Sequence, residues 1–262
     1  MKRVGIIGAG NMGEAILANA KVMFAVRICE SNRDRARAIC RKYHLKACHL
    51  KDLVRWADVL VLAVKPQDLD QVLGELAGTV TKDKLVLSIA AGVTTHYLEK
   101  KLGQGIKVVR SMPNMPGLIG EGVTAVCSGK FSRKKDVVQA CKILSHIGET
   151  VVVKEKFVDA ITAVSGSGPA YVFLFLELLT RAAGRLGLSE NLAARLVEKT
   201  FLGSLHLVQR TGMPPSQLRV RVTSKGGTTQ AALSIFEKEN LAGIFEKALK
   251  AASQRAKQLS KK

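Results

Sequence analysis

The sequence predicts an α/β protein: a Rossmann-type doubly wound N-terminal domain followed by an all-α C-terminal domain. Three observations carry that class. Residues 2–7, KRVGII, are a short apolar run that ends in the turn GAGNMG and gives way to a helical pattern over residues 14–22, the opening of a βαβ unit. Apolar runs recur at residues 26–29, 59–64 (VLVLAV), 85–89 (LVLSI) and 106–109 (IKVV), each fitting a strand buried on both faces of a parallel sheet. Beyond residue 154 strand patterns cease and helical ones take over.

Between the first strands a basic helix is expected over residues 33–43. Two further runs, 122–127 and 150–153, flank an amphipathic segment near 136–147 and close the sheet. The helices that follow are 157–186, with a break at GSGP, then 192–210, 229–237 and 241–259. The last carries Leu241, Ile244, Phe245, Ala248, Leu249 and Ala252 as one apolar stripe. The domains are therefore 1–154 and 155–262. The stretch AYVFLFLELL is apolar on every side of a helix and must be buried all round. A second copy of the chain would bury it, which makes this a dimerisation domain of a homo-oligomer, and a central helix within one monomer is the alternative.

Composition limits the classes of function. Five cysteines at 29, 40, 48, 127 and 141 include no C-x-x-C pair and no histidine at zinc spacing, so reduced thiols, a cytoplasmic location and no metal are expected. No signal-peptide pattern opens the chain. The longest apolar run, 171–176, stops at Glu177, well short of the roughly 18 residues of a membrane span. The formal charge of +20 invites a nucleic-acid reading, but the basic residues are spread from Lys2 to Lys262 without interleaved aromatic platforms. Neither nucleic acid nor membrane is expected as a partner.

Gly8, Gly10 and Gly13 stand as G-x-G-x-x-G between strand and helix, the dinucleotide-binding arrangement, with Asn11 and Met12 inside it. The first glycine permits the tight turn, the second admits a pyrophosphate, and the third lets helix and strand pack closely. Glu30 stands where an acid commonly binds the ribose of NADH, yet Ser31, Asn32, Arg33 and Arg35 follow it as donors for the 2′-phosphate of NADPH. NADPH is the favoured cofactor and NADH the alternative. Other strand ends add Ala63, Val64, Lys65 and Pro66, then Ala90, Ala91 and Gly92, and finally Asn114. Lys65 is equally readable as a surface lysine. Hydroxyls and glycines in VTSKGGTT, 222–229, immediately precede a helix and make either an anion site or a capped loop.

The stretches GAGNMG, AVKPQ, SIAAGVT, RSMPNMP, SGSGPAYVF and VTSKGGTT, in this order, make the chain resemble the Δ1-pyrroline-5-carboxylate reductases. The resemblance implies hydride transfer from NADPH or NADH to the C=N carbon of the cyclic imine, giving L-proline in the last step of proline synthesis. It implies a homodimer, with larger rings of dimers in some members. It assigns the substrate carboxylate to Ser224, Gly226, Gly227, Thr228 and Thr229, and a substrate role to Ser167 and Gly168. Thr229 is the candidate catalytic residue, orienting the ring nitrogen, or else simply a carboxylate ligand. Three departures stand out: Lys225 replaces the family's proline, and Val220 and Arg221 replace acidic and amide residues. Lys225 either strengthens carboxylate attraction or loosens the loop. A β-hydroxyacid dehydrogenase would need a lysine where Val172 stands. A related imine reductase and a non-catalytic dinucleotide- or nucleic-acid-binding protein are the other rivals.

Overall fold

The computed structural model describes residues 2–260. Seven strands, β1 (Arg3–Ile7), β2 (Ala25–Cys29), β3 (Val59–Leu62), β4 (Leu85–Ser88), β5 (Lys107–Met112), β6 (Gly122–Ser128) and β7 (Gly148–Val152), form one sheet in the order β2-β1-β3-β4-β5-β6-β7. The first five are parallel. Six helices accompany them: α1 (Asn11–Met23), α2 (Arg33–Tyr43), α3 (Leu50–Trp56), α4 (Leu69–Leu76), α5 (Thr95–Leu102) and α6 (Lys134–Leu144). Side chains alternate between two cores, as a sheet covered on both faces requires. Val4, Ile6, Val59 and Val61 join Ile16 and Leu17 on one face, whereas Ile7, Leu60 and Leu62 join Leu53 and Leu73 on the other.

One pair departs from the parallel expectation. β6 runs antiparallel to β5, with Met112 facing Ala125, while β7 is parallel to β6. The cause is the connection: residues 113–121 carry two prolines and a short 3₁₀ turn, Met115–Ile119, too little chain for the crossover that a parallel partner needs.

The remaining helices are α7 (Val158–Ile161), α8 (Gly168–Arg185), α9 (Glu190–Thr211), α10 (Pro215–Arg221), α11 (Thr228–Lys238) and α12 (Leu241–Leu259). Helix α10 was not legible as a periodic segment, although Pro214 and Pro215 at its start are a helix-opening signal. By compactness the chain forms two units, Met1–Ser167 with Ala252–Lys262, and Gly168–Ala251.

Helix α8 has no buried residue within one chain; Phe173 is 53% and Leu174 49% exposed. It is no monomer core. The helical run Glu155–Arg185 is long and apolar enough to cross a membrane by length and composition alone. The count of consecutive apolar residues stops short of this length because it breaks at Glu177 and Arg181, which mean hydropathy over a window tolerates.

Candidate active site

The three glycines of the first turn are each required for a different reason. Gly8 sits at φ +86°, and a Cβ there would lie 2.9 Å from the backbone of Ala63 at the end of β3. Its N–H donates to the Cys29 carbonyl at 2.8 Å, closing the turn against β2. A Cβ on Gly13 would come within 2.3 Å of the Gly8 carbonyl oxygen, so α1 can approach β1 only without a side chain. Around Gly10 there is open space, with the Arg35 guanidinium the nearest group at 3.8 Å. Gly10 is also the N-cap of α1 and supplies no side-chain cap, leaving the first amides of that helix facing outward.

A cavity of about 540 Å³ opens here. Gly10, Asn11 and Met12 line one side, and Ala63, Val64, Lys65 and Pro66 from the end of β3 another. Ala90 and Ala91 follow β4, joined by Ile89, Arg35, Met112 and Pro113. Small residues at the strand ends leave room for flat rings, and the Arg35 and Lys65 cations with the α1 N-terminus make the cavity positive. This donor set suits an anionic dinucleotide.

The other assigned residues lie elsewhere. The Glu30 carboxylate accepts from the Ala9 N–H at 2.7 Å and the Asn32 N–H at 2.9 Å, buttressing the turn rather than standing free. Asn32 caps α2 by accepting from the Arg35 N–H at 2.9 Å. Ser31 and Arg33 flank that cap on the surface, outside the cavity lining. Gly92, at φ +73°, leaves space for Leu259, whose Cβ would be 3.1 Å from a Cβ at that position. The Asn114 Oδ1 accepts from the Val123 N–H at 2.9 Å and ties the proline-rich connection to β6. Met112 and Pro113 were missed because β5 continues three residues past the sequence-read end at Val109.

In the second unit, VTSKGGTT folds as a turn that delivers the chain to α11. Gly226 takes φ +74°, the Gly227 N–H donates to the Ser224 carbonyl at 3.1 Å, and Gly227 is the N-cap. Ser224 Oγ lies 2.3 Å from where a Cβ on Gly227 would be, so that glycine admits the hydroxyl. The Gln230 side chain accepts the Gly226 N–H at 2.6 Å. Ser224, Lys225, Gly226 and Thr228 are exposed, Gly227 and Thr229 half-buried. Hydroxyls and amides thus converge on the positive end of α11. Ser167, the last residue of the first unit, donates its N–H to the Thr162 carbonyl at 2.8 Å after a π-turn over Thr162–Gly166, and Gly168 opens α8.

No group of three metal-ligating side chains occurs among the described residues. Arg110, only 3% exposed, is paired with Glu155 at 3.0 Å and Asp159 at 3.9 Å. Glu155 also accepts from the Thr95 N–H and hydroxyl, at 2.8 and 2.6 Å. The Ser260 hydroxyl donates to Asp159 at 2.7 Å.

The family model described as pyrroline-5-carboxylate reductase dimerisation matches residues 155–259, and the one described as NADP oxidoreductase coenzyme F420-dependent matches residues 3–92. The pyrroline-5-carboxylate reductase of Mycobacterium leprae is 36% identical over 99% of this chain and 97% of its own. That of Escherichia coli is 34% identical over 99% of both chains. Among solved structures, a pyrroline-5-carboxylate reductase from Coxiella burnetii superposes with a TM-score of 0.88 at 36% identity, covering 99% of this chain and 98% of its own. The Plasmodium falciparum pyrroline carboxylate reductase with NADP bound gives 0.87 at 32% identity, with the same coverage. Two family models and full-length relatives thus converge on one assignment, and the chain belongs to the pyrroline-5-carboxylate reductase family of oxidoreductases.

Proposed function

We propose that the protein reduces Δ1-pyrroline-5-carboxylate to L-proline with NADPH, NADH being the alternative cofactor, as a cytoplasmic homodimer that assembles further into rings. In this reading residues 1–154 hold the cofactor and 155–262 hold the substrate and the second copy. The observation that carries it is the convergence of Ser224, Gly226, Gly227, Thr228 and Thr229 on the N-terminus of α11, a site for a small carboxylate, in a chain whose other glycine turn suits a dinucleotide. The apolar surface of α8 is covered by the second copy, and neither membrane nor nucleic acid is a partner.

When bound, the nicotinamide supplies the hydride. The chain's own residues bind and orient. Gly8, Gly10, Asn11, Met12 and Gly13 shape the pyrophosphate turn. Ala63 to Pro66 with Ala90 and Ala91 form the walls for ribose and nicotinamide, Gly92 shapes the loop behind them, and Asn114 steadies the neighbouring connection. Ser167, Gly168 and the α11 turn hold the imine. Its ring nitrogen enters protonated, so that after the C=N carbon is reduced the nitrogen is already an amine and no strong acid is needed. The Thr229 hydroxyl orients that nitrogen. Thr229→Ala and Ser224→Ala are each expected to lower kcat/KM about tenfold or more, the scale of one charge-assisted hydrogen bond. NADPH oxidation with pyrroline-5-carboxylate measures it, and no turnover by the wild type with either cofactor would leave a non-catalytic binding protein.

NADPH is supported by the Arg35 guanidinium at the cavity wall and by Glu30, whose carboxylate is committed to the Ala9 and Asn32 amides. Arg33 and Ser31 beside that cap add donors for the 2′-phosphate. Arg35→Ala and Arg33→Ala are expected to raise the KM for NADPH by about tenfold while changing that for NADH little. Equal losses for both cofactors would contradict the 2′-phosphate assignment.

A further inference from the structure

We propose that Cys29 and Cys48 form a dithiol site that reacts with small aliphatic disulfides, closing into an internal disulfide that weakens cofactor binding. The second clause rests on the cofactor reading above; the first does not.

Strand β2 is the edge of the sheet, and beyond it the chain returns for a single bridge, Ile28 facing Ala47. The Ile28 N–H donates to Lys46 O at 3.4 Å and the Cys48 N–H to Ile28 O at 3.0 Å, which fixes a parallel register. One residue further, Cys29 faces Cys48. Ile28 points into one core, whereas both cysteines pack against the other, so the two thiols share a face. The Cys48 sulfur lies 3.8 Å from the carbonyl oxygen of Ile28, the residue that precedes Cys29 on β2. Paired strands lie about 4.8 Å apart, inside the Cα separation of about 4.4–6.8 Å that a disulfide spans.

Both thiols are free and half-buried, within reach of a small reagent. Burial pushes both up from the ordinary thiol range, and for Cys48 the Arg27 guanidinium opposes that shift. Cys48 is therefore the attacking thiol. Its thiolate displaces one thiolate from the small disulfide; Cys29 then attacks the Cys48 sulfur and expels the second. Two protein thiols are oxidised, one disulfide is reduced to two thiols, and the protons pass to those leaving groups. Cys40 and Cys141 pack against the opposite core, while Cys127 is buried in β6 with its thiol pushed up by burial to about 12.

The position explains the consequence. The Cys29 carbonyl accepts the Gly8 N–H, and the next residue, Glu30, holds the Ala9 and Asn32 amides. Drawing Cys29 toward Cys48 pulls on the hydrogen bonds that shape the glycine turn. A bridge one residue long resists such movement little, and a disulfide closed under strain stays easily reducible.

The full-length protein is equilibrated with oxidised glutathione, alkylated, digested and mapped by mass spectrometry, and NADPH binding is titrated by fluorescence before and after. A peptide pair joining Cys29 to Cys48 is expected, with NADPH affinity about tenfold weaker, the scale of one charged hydrogen bond lost, and restored by dithiothreitol. Cys48→Ser should keep NADPH affinity and lose the response to oxidant, and Cys29→Ser should lose the linked peptide. Absence of the linked peptide, or its formation between other cysteines, would overturn the site. A linked peptide with unchanged NADPH affinity would overturn the coupling. Failure of the reduced protein to bind NADPH would count against the cofactor reading, leaving the peptide map to judge the dithiol.

Discussion

Gly13→Ala is expected to destabilise the first unit and abolish cofactor binding together, whereas Gly10→Ala should abolish binding alone. The added methyl of Gly13→Ala would stand 2.3 Å from the Gly8 carbonyl oxygen and 3.2 Å from the Ala63 side chain. Both neighbours belong to turns fixed by strand ends, so α1 itself must move out from β1. Overpacking of that kind costs about 1–3 kcal/mol, and the moved helix no longer presents its amides at the turn. At Gly10 the same methyl meets nothing closer than 3.8 Å, the mobile end of Arg35. Its cost to folding should stay within about 1 kcal/mol, the scale of an N-cap change, but it fills the space through which a pyrophosphate reaches the backbone. Urea unfolding and NADPH titration on both variants separate the cases. Equal destabilisation by the two substitutions would refute this division of labour.

The second large effect is expected at Arg110. Arg110→Met removes the guanidinium paired with both Glu155 and Asp159 and leaves the two carboxylates without that partner beside a buried strand. Breaking a buried pair from one side costs about 3–5 kcal/mol. Because Glu155 and Asp159 keep 29% and 27% of their side-chain surface, water can relieve part of that, and the lower end of the range applies. Glu155→Gln combined with Arg110→Met should recover part of the loss, since an amide tolerates the site that a lone carboxylate does not. The check is the shift in urea midpoint at constant slope. A loss below about 1 kcal/mol would show that Arg110 behaves as an ordinary surface arginine.

What the sequence made legible, and what it did not, follows from the range of the interactions. The glycine turn, the first four strands and the start of α11 depend on neighbours a few residues away, and runs such as VLVL or the step from GG to TT declare them directly. The end of β5 was misplaced because Arg110 and Ser111 look like loop residues, yet both are buried. Their compensation is distant: Arg110 has Glu155, and the Ser111 hydroxyl donates to the Ser88 carbonyl at 3.0 Å. No local pattern announces either partner. The added residues of β5 are what bring Met112 and Pro113 to the cavity. Arg35 reaches the cavity because Ala36 and Ile39 anchor α2 on the core and set its rotation, again a packing fact. For α8 the reverse holds: its all-round apolarity was plain, but within one chain none of its residues is buried.

The packing of Leu259 over Gly92 and the hydrogen bond from Ser260 to Asp159 place a late segment of the chain against early ones. Residues 252–260 leave the ribosome after every element they touch. The strands and glycine turn of the first unit can therefore form during synthesis, while the loop after β4, a wall of the cavity, acquires the support of Leu259 only once residues 252–260 have been made. The cofactor site is thus finished late, and a nascent chain stalled before residue 252 would hold the Rossmann sheet with that wall still unbraced.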